Sequence, residues 1–255
     1  MIDKVKYFKR IGIPENTVIT ESVEFLNLIH FQNCVSIPYE NLDLVGGKLL
    51  SLRSEDVLKK ICSKRGGYCF EINGLLSDFL KENGFEVTNY LGRFLRGMNE
   101  IPVRHHRVLK VACQGQYYIM DVSIAQSSPM LPLKLTEGII QGQFGESYKF
   151  EKDPFLGWVL CDLYKGQWRN FYSFTEDEQL DIDFILPSFY CERHPSSRFN
   201  KFPIVGLKTK DGRKTLNDRE YKVFEGGKLT ESKENLSDEH RIDILKKEFG
   251  IEWRK

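Results

Sequence analysis

The apolar residues of this chain change their period near residue 85, and that change restricts the fold more than any other feature of the sequence. Before it, apolar side chains recur at helical spacing. Val23, Leu26, Ile29 and His30 share one face, and Leu75, Leu76, Phe79 and Leu80 share another. The spacing predicts a helix over Asp3 to Lys9 that breaks at Gly12 and Pro14, and a second from Glu21 to the stop at Pro38. A third, capped by Ser54, runs through Val57, Leu58 and Ile61, and a fourth follows Gly66-Gly67 and stops at Asn83-Gly84. From about residue 86 the pattern becomes short alternating runs between polar turns: VTNYLGRFL, HRVLKVA, QYYIMDV, KFEKD and NFYSF. That is a strand-rich, barrel-like middle. After Pro203 come a hairpin expected to turn at Asp211-Gly212, the strand YKVFEGGKL and a helix from Ser237 to Phe249. The class is α+β, with expected parts 1–85, 86–192 and 193–255.

With 41% hydrophobic and 13% aromatic side chains, the chain can bury a sizeable core. Lys and Arg number 37 against 36 Asp and Glu, so no strong field recruits nucleic acid or an anionic membrane. No apolar run approaches the ~20 residues that span a bilayer, and MIDKVKYFKR lacks a signal-peptide core, so a cytoplasmic protein is expected. Six cysteines at 34, 62, 69, 113, 161 and 191 form no C-x-x-C pair, which fits reduced thiols.

The most informative segment is Arg65-Gly66-Gly67-Tyr68-Cys69-Phe70-Glu71-Ile72-Asn73. Two glycines permit unusual dihedrals and close backbone approach, and they deliver Cys69 to a helix N-terminus. The partial positive charge there lowers a thiol pKa, and the unpaired N–H groups can stabilise an oxyanion. The competing reading is a cysteine that merely packs. A nucleophile needs a base. His105 and His106 precede the strand Val108 to Val111, and a second strand, Tyr117 to Val122, follows a turn at Gln114-Gly115. That turn places His106 opposite Ser123, with Asp121 two residues away on the same face. Such diagonal neighbours lie ~7–8 Å apart between backbones, within side-chain reach. A carboxylate there orients an imidazole and stabilises imidazolium, completing a Cys-His-Asp relay. His105 points to the other face, and a register shifted by one residue reverses that choice. No His, Cys and carboxylate set has a metal-ligand spacing, so no metal is expected.

The RGGYCFEIN segment, SIPYENLDL at 36–44, the His-Asp hairpin and YCERHPSSRF at 190–199 together resemble the arylamine N-acetyltransferase family. The likeness covers most of residues 1–200 and loosens over the last fifty. It implies an N-terminal helical bundle, a central β-barrel and a C-terminal α/β lid, with a catalytic core similar to papain-like and transglutaminase enzymes. It also implies Cys69 as the acetylated nucleophile, His106 as its base and Asp121 as the partner of that histidine. Pro38, Glu40 and Asn41 are read as structural. The implied partners are acetyl-CoA as acyl donor and an aromatic amine or hydrazine as acceptor, in a ping-pong cycle of xenobiotic metabolism. Phe70, Val103 and Ile124 are the expected acceptor-side residues.

One departure stands out. Where the family reads Val-Gly-Phe-Gly or close to it, this chain has Val122-Ser123-Ile124-Ala125, which is expected to narrow the coenzyme A passage or reshape the acceptor pocket. An amide synthase using another acyl donor, a hydrolase or transglutaminase-like enzyme and a degenerate homologue stay open as alternatives. Lys208, Lys210, Arg213 and Lys214 are read as a solvated hairpin rather than a phosphate site.

Overall fold

The computed structural model describes residues 1–253. Helix α1 (Lys4–Ile11) starts at Asp3, whose carboxylate accepts from the Lys6 N–H, and stops at Gly12 in the left-handed conformation. Helix α2 (Val23–Ser36) is capped by Ser22. A short strand β1 (Tyr39–Glu40), a single turn α3 (Leu42–Val45) and the helices α4 (Ser54–Cys62) and α5 (Cys69–Glu82) follow. Ser54 is not the cap of α4. Arg53 holds that position, and the Ser54 hydroxyl instead donates to the Asp78 carboxylate of α5 at 2.5 Å, because a charged acceptor outcompetes the local backbone. Tyr7, Phe8, Leu26, Ile29, Ile61 and Phe79 are fully or almost fully buried where these helices pack, with the Tyr7 and Phe79 rings edge-on at 5.0 Å.

The middle of the chain forms one eight-stranded antiparallel sheet curled into a nearly closed barrel. Its strands are β2 (Val87–Phe94), β3 (His106–Cys113), β4 (Gln116–Met120), β5 (Leu133–Lys134), β6 (Gln141–Gln143), β7 (Glu146–Asp153), β8 (Gly157–Tyr164) and β9 (Gln167–Phe174), in the order β5-β4-β3-β2-β9-β8-β7-β6. Side chains bridge the two edges. The Gln141 amide accepts from Lys134 N–H at 2.8 Å and donates to Lys134 carbonyl at 2.9 Å, and Gln143 does the same with Leu131. Two glutamines thus satisfy backbone groups that a paired strand would otherwise take. Tyr90, Phe150, Phe171, Tyr172 and Phe174 pack together in the strand-rich core.

Helix α6 (Ile185–Arg193) follows a 3-10 turn at Asp181–Phe184. Pro187 sits in its first turn, where a missing N–H is tolerated, so a residue that reads as a breaker lies inside a helix. The last strands, β10 (Ile204–Thr209), β11 (Gly212–Asn217), β12 (Glu220–Glu225) and β13 (Lys228–Lys233), form a second sheet in the order β1-β10-β11-β12-β13, and helix α7 (Asp238–Phe249) shares its apolar core. The hairpin turns at Lys210-Asp211, one residue earlier than the sequence predicts, because Thr209 pairs with Gly212 inside the ladder. A Cβ on Gly212 would sit 1.9 Å from the Phe224 carbonyl oxygen, so this glycine serves a close approach between strands. Lys208 is buried against Glu146 at 2.6 Å rather than solvated, and Lys214 pairs with Glu248. Among the described residues no helix is long and apolar enough to cross a membrane.

Candidate active site

Two sequence segments zip together to aim α5. Glu40 N–H donates to the Gly67 carbonyl and Gly67 N–H to the Pro38 carbonyl, at 2.9 and 3.2 Å. A Cβ on Gly66 would lie 1.9 Å from the Pro38 oxygen. Neither Gly66 nor Gly67 has positive φ, so close approach rather than unusual dihedrals requires glycine here. A buried ionic cluster locks the junction. Lys60 pairs with Glu71 at 2.8 Å and Asp43 at 2.9 Å, and Arg65 pairs with Glu40 at 2.7 Å and Asp43 at 3.1 Å. Burial works against the Lys60 ammonium, but the charges of Glu71, Glu40 and Asp43 outweigh it and raise its pKa. Glu71 also accepts from the Tyr68 N–H at 3.1 Å, fixing the residue before Cys69. Asn41 holds Phe199, Phe202 and Ile204 through their backbones.

Cys69 is the first residue of α5 and is buried among Tyr39, Tyr68, Phe70, Phe184 and Ile204, with Ala125, Phe199 and Phe202 packed against that cluster. His106 opens β3 and Asp121 directly follows β4. The ladder between these strands pairs Leu109 with Met120 and Cys113 with Gln116, which is the register set by a turn at Gln114-Gly115. His106 Nε2 lies 2.5 Å from Asp121 Oδ2, which leaves Nδ1 for the thiol. The Cys69 Sγ also lies 3.9 Å from the His105 carbonyl oxygen. The His105 ring turns away: its Nδ1 bonds the Val103 carbonyl at 2.7 Å and the ring lies against Phe199 at 5.7 Å.

Burial pushes the Cys69 thiol above its ordinary pKa, against hydrogen bonding and charge from His106 that pull it down. The helix N-terminus therefore does not by itself produce the free thiolate the sequence leads one to expect. The compensating shift is on His106. Burial disfavours imidazolium, but the Asp121 charge and hydrogen bonds to Asp121 and Cys69 outweigh it and raise the pKa to about 10. A thiolate at Sγ thus has a stable positive charge beside it.

Of the expected acceptor-side residues, Phe70 is buried next to Cys69, Ile124 is buried in the barrel's apolar core, and Val103 is exposed. Two residues near the site were missed by sequence reasoning. Asn73, one helical turn beyond Cys69, donates to Asp121 Oδ1 at 2.9 Å, and its spacing from Cys69 on α5 was the available signal. Tyr172 on β9 places its ring 5.4 Å from His106. Burial and then the nearby Asp121 charge push its phenol well above the ordinary range, and no local pattern announces it.

The N-acetyltransferase family model matches residues 22–255. The arylamine N-acetyltransferase of Mycobacterium bovis is 33% identical, over 98% of this chain and 89% of that protein. The solved arylamine N-acetyltransferase of Mycobacterium tuberculosis superposes with a TM-score of 0.91 at 31% identity, over 98% of this chain and 94% of that one. The Mycobacterium marinum arylamine N-acetyltransferase in complex with CoA gives a TM-score of 0.90 at 28% identity, over 98% and 93%.

Proposed function

The chain belongs to the arylamine N-acetyltransferase family, a family of acyltransferases, and from that premise we propose that it moves an acetyl group from acetyl-CoA to an arylamine, arylhydrazine or similar amine through a thioester on Cys69. The observation that carries this reading is the His106–Asp121 contact beside the N-terminus of α5. His106, an imidazolium stabilised by Asp121, pairs with the Cys69 thiolate. The thiolate attacks the acetyl carbonyl, and the oxyanion is stabilised by the Cys69 and Phe70 N–H groups of the first helical turn, the Glu71 and Ile72 N–H groups being bonded to the Tyr68 carbonyl. The C–S bond to coenzyme A breaks, and His106 returns the proton to the departing thiolate. A neutral amine then attacks the acetyl-cysteine, His106 accepts its proton, and Cys69 is released.

The CoA-bound Mycobacterium marinum relative supports a CoA-derived donor. A cleft of about 670 Å³ between the barrel and the second sheet, which none of Cys69, His106 and Asp121 lines, suits the phosphate end of such a donor: Lys165, Lys210 and Arg213 line it and form no ion pair among the described residues, so they are available to phosphates. The six unpaired cysteines support a reducing, cytoplasmic setting.

Intact-protein mass spectrometry after mixing with acetyl-CoA tests the reading. A single acetyl adduct that requires Cys69 and disappears on adding para-aminobenzoate is expected, with folded Cys69→Ala as control. No adduct on folded protein would remove acetyl-CoA as donor and favour amide synthesis from another acyl group.

A further inference from the structure

A cavity of about 560 Å³ lies between the loop through Leu50, helix α5 and the segment from Asp181 to Glu192, and none of Cys69, His106 and Asp121 lines it. That volume is in the range that holds a small ligand. The rim is apolar and exposed: Leu49, Ile182, Ile185 and Phe189 are 63%, 68%, 54% and 53% accessible around one opening. Exposed apolar side chains are ordinary when scattered, whereas four at one mouth mark a binding surface.

The polar groups inside narrow the ligand. Arg107 is only 2% exposed. Its Nε donates to Asn89 Oδ1 at 2.9 Å and its Nη2 to Asp181 at 2.7 Å, while Nη1 makes no hydrogen bond among the described residues. The guanidinium therefore has its counter-charge but keeps one unmatched donor. Two further carboxyls, Asp78 and Glu192, line the cavity with no ion pair among the described residues. Asp78 accepts from Ser54, and Glu192 accepts from Ser188 at 2.8 Å. Burial pushes both above the usual carboxylate range, the behaviour of groups that a cation would relieve. An anionic ligand would add another negative charge beside three carboxyls. Arg53 also lines the cavity, but its side chain is exposed and paired with Glu55 at 3.5 Å. A cation with an apolar body and a neutral acceptor matches the remaining groups: ammonium at Glu192, acceptor at Arg107 Nη1, and a ring between Leu50 and Ile185. From Ile185 to Glu192 the helix rises about 10 Å, enough for a para-substituted ring.

We propose that this cavity is a second small-molecule site, separate from the Cys69 centre, that takes a protonated arylalkylamine bearing a neutral hydrogen-bond acceptor. It selects the opposite protonation state from acyl transfer, which needs an amine with a free lone pair. The site also touches the nucleophile's surroundings: the Tyr68 hydroxyl donates to Ser188 at 2.9 Å, and Ser188 donates to Glu192, so the ammonium-binding carboxylate is two hydrogen bonds from the residue before Cys69.

Calorimetry on the Cys69→Ala protein near neutral pH, with para-(aminomethyl)benzamide as probe, tests the site without acyl chemistry. Saturable binding is expected. It should weaken about tenfold or more in Glu192→Gln, which keeps the Ser188 bond and loses the charge. Neutral para-methylbenzamide should bind weaker by a similar factor. Ile185→Trp, at an exposed position on the rim, should fill the cavity and abolish binding while circular dichroism stays unchanged. Displacement of the probe by para-aminobenzoate would put it in the acceptor site and overturn the proposal. Absence of saturable binding, or affinity unchanged in both variants, would overturn it as well.

Discussion

Asn73 ties the helix that begins with Cys69 to the strand end that carries Asp121. Its Nδ2 donates to Asp121 Oδ1 at 2.9 Å and to the Arg107 carbonyl at 2.8 Å, and its Oδ1 accepts from the Val122 N–H at 3.1 Å. One buried side chain therefore sets the distance between two secondary-structure elements and fixes the free oxygen of the carboxylate that orients His106. Asn73→Ala leaves three buried polar groups short of a partner and is expected to cost about 1–3 kcal/mol in urea denaturation. It should also slow acetylation of Cys69 in a single-turnover assay. A shifted unfolding midpoint with an unaltered acetylation rate would reduce Asn73 to a structural role.

The His106–Asp121 pair makes stability depend on pH in a defined direction. His106 is raised from its ordinary 6.5 to about 10 in the folded protein, by Asp121 against burial. Between those values the folded state holds a proton that the unfolded state has lost, so stability falls as pH rises. The contribution is complete below pH 6.5 and is lost as pH passes through about 10. Asp121→Asn removes the stabilising charge and should flatten this slope. Urea midpoints across the window, in both proteins, check it, and equal slopes would contradict the assignment.

Gly66 is predicted to tolerate no side chain. A Cβ would meet the Pro38 carbonyl oxygen at 1.9 Å and Glu40 Cγ at 2.9 Å, so the backbone itself must move. Gly66→Ala should lose at least ~3 kcal/mol or fail to accumulate as folded protein. Gly84→Ala is a useful comparison, because nothing lies near its Cβ and only its left-handed φ is strained. If thermal melting shows the two variants equally affected, close approach at Gly66 is not the dominant cost.

The departure at residues 123–125 divides into two unlike positions. Ala125 has φ +49°, a left-handed conformation that a Cβ disfavours, whereas Ser123 is not in that region. Ala125→Gly should therefore stabilise the protein by roughly 0.5–1 kcal/mol, the relieved strain less the added freedom of the unfolded chain. Ser123→Gly should give no such gain. Ala125 also packs against the apolar cluster around Cys69 while Ser123 is buried elsewhere in contact with Asp121 through its N–H. The Ala125 variant is thus the one expected to change acetyl-CoA use, measured as the KM for Cys69 acetylation. An unchanged KM would mean that this methyl does not obstruct the donor.

The sequence by itself determined the features that arise among near neighbours. Apolar spacing placed α1, α2 and α5, and the turn at Gln114-Gly115 set the β3–β4 register that leaves His106 and Asp121 on one face. Both depend on periodicities of a few residues, which a chain expresses locally. Elements without such a signal were illegible: α6 with its internal Pro187, and β5 and β6, which are two and three residues long. Only the tertiary structure decided which distant groups share a low-dielectric interior. It put Asn73 and Tyr172 around Asp121, gathered Glu40, Asp43, Lys60, Arg65 and Glu71 into one ionic cluster, and bridged the barrel edges with Gln141 and Gln143. It also reversed the expected direction of the Cys69 pKa, because desolvation depends on what is packed above a residue and leaves no trace in the residues beside it.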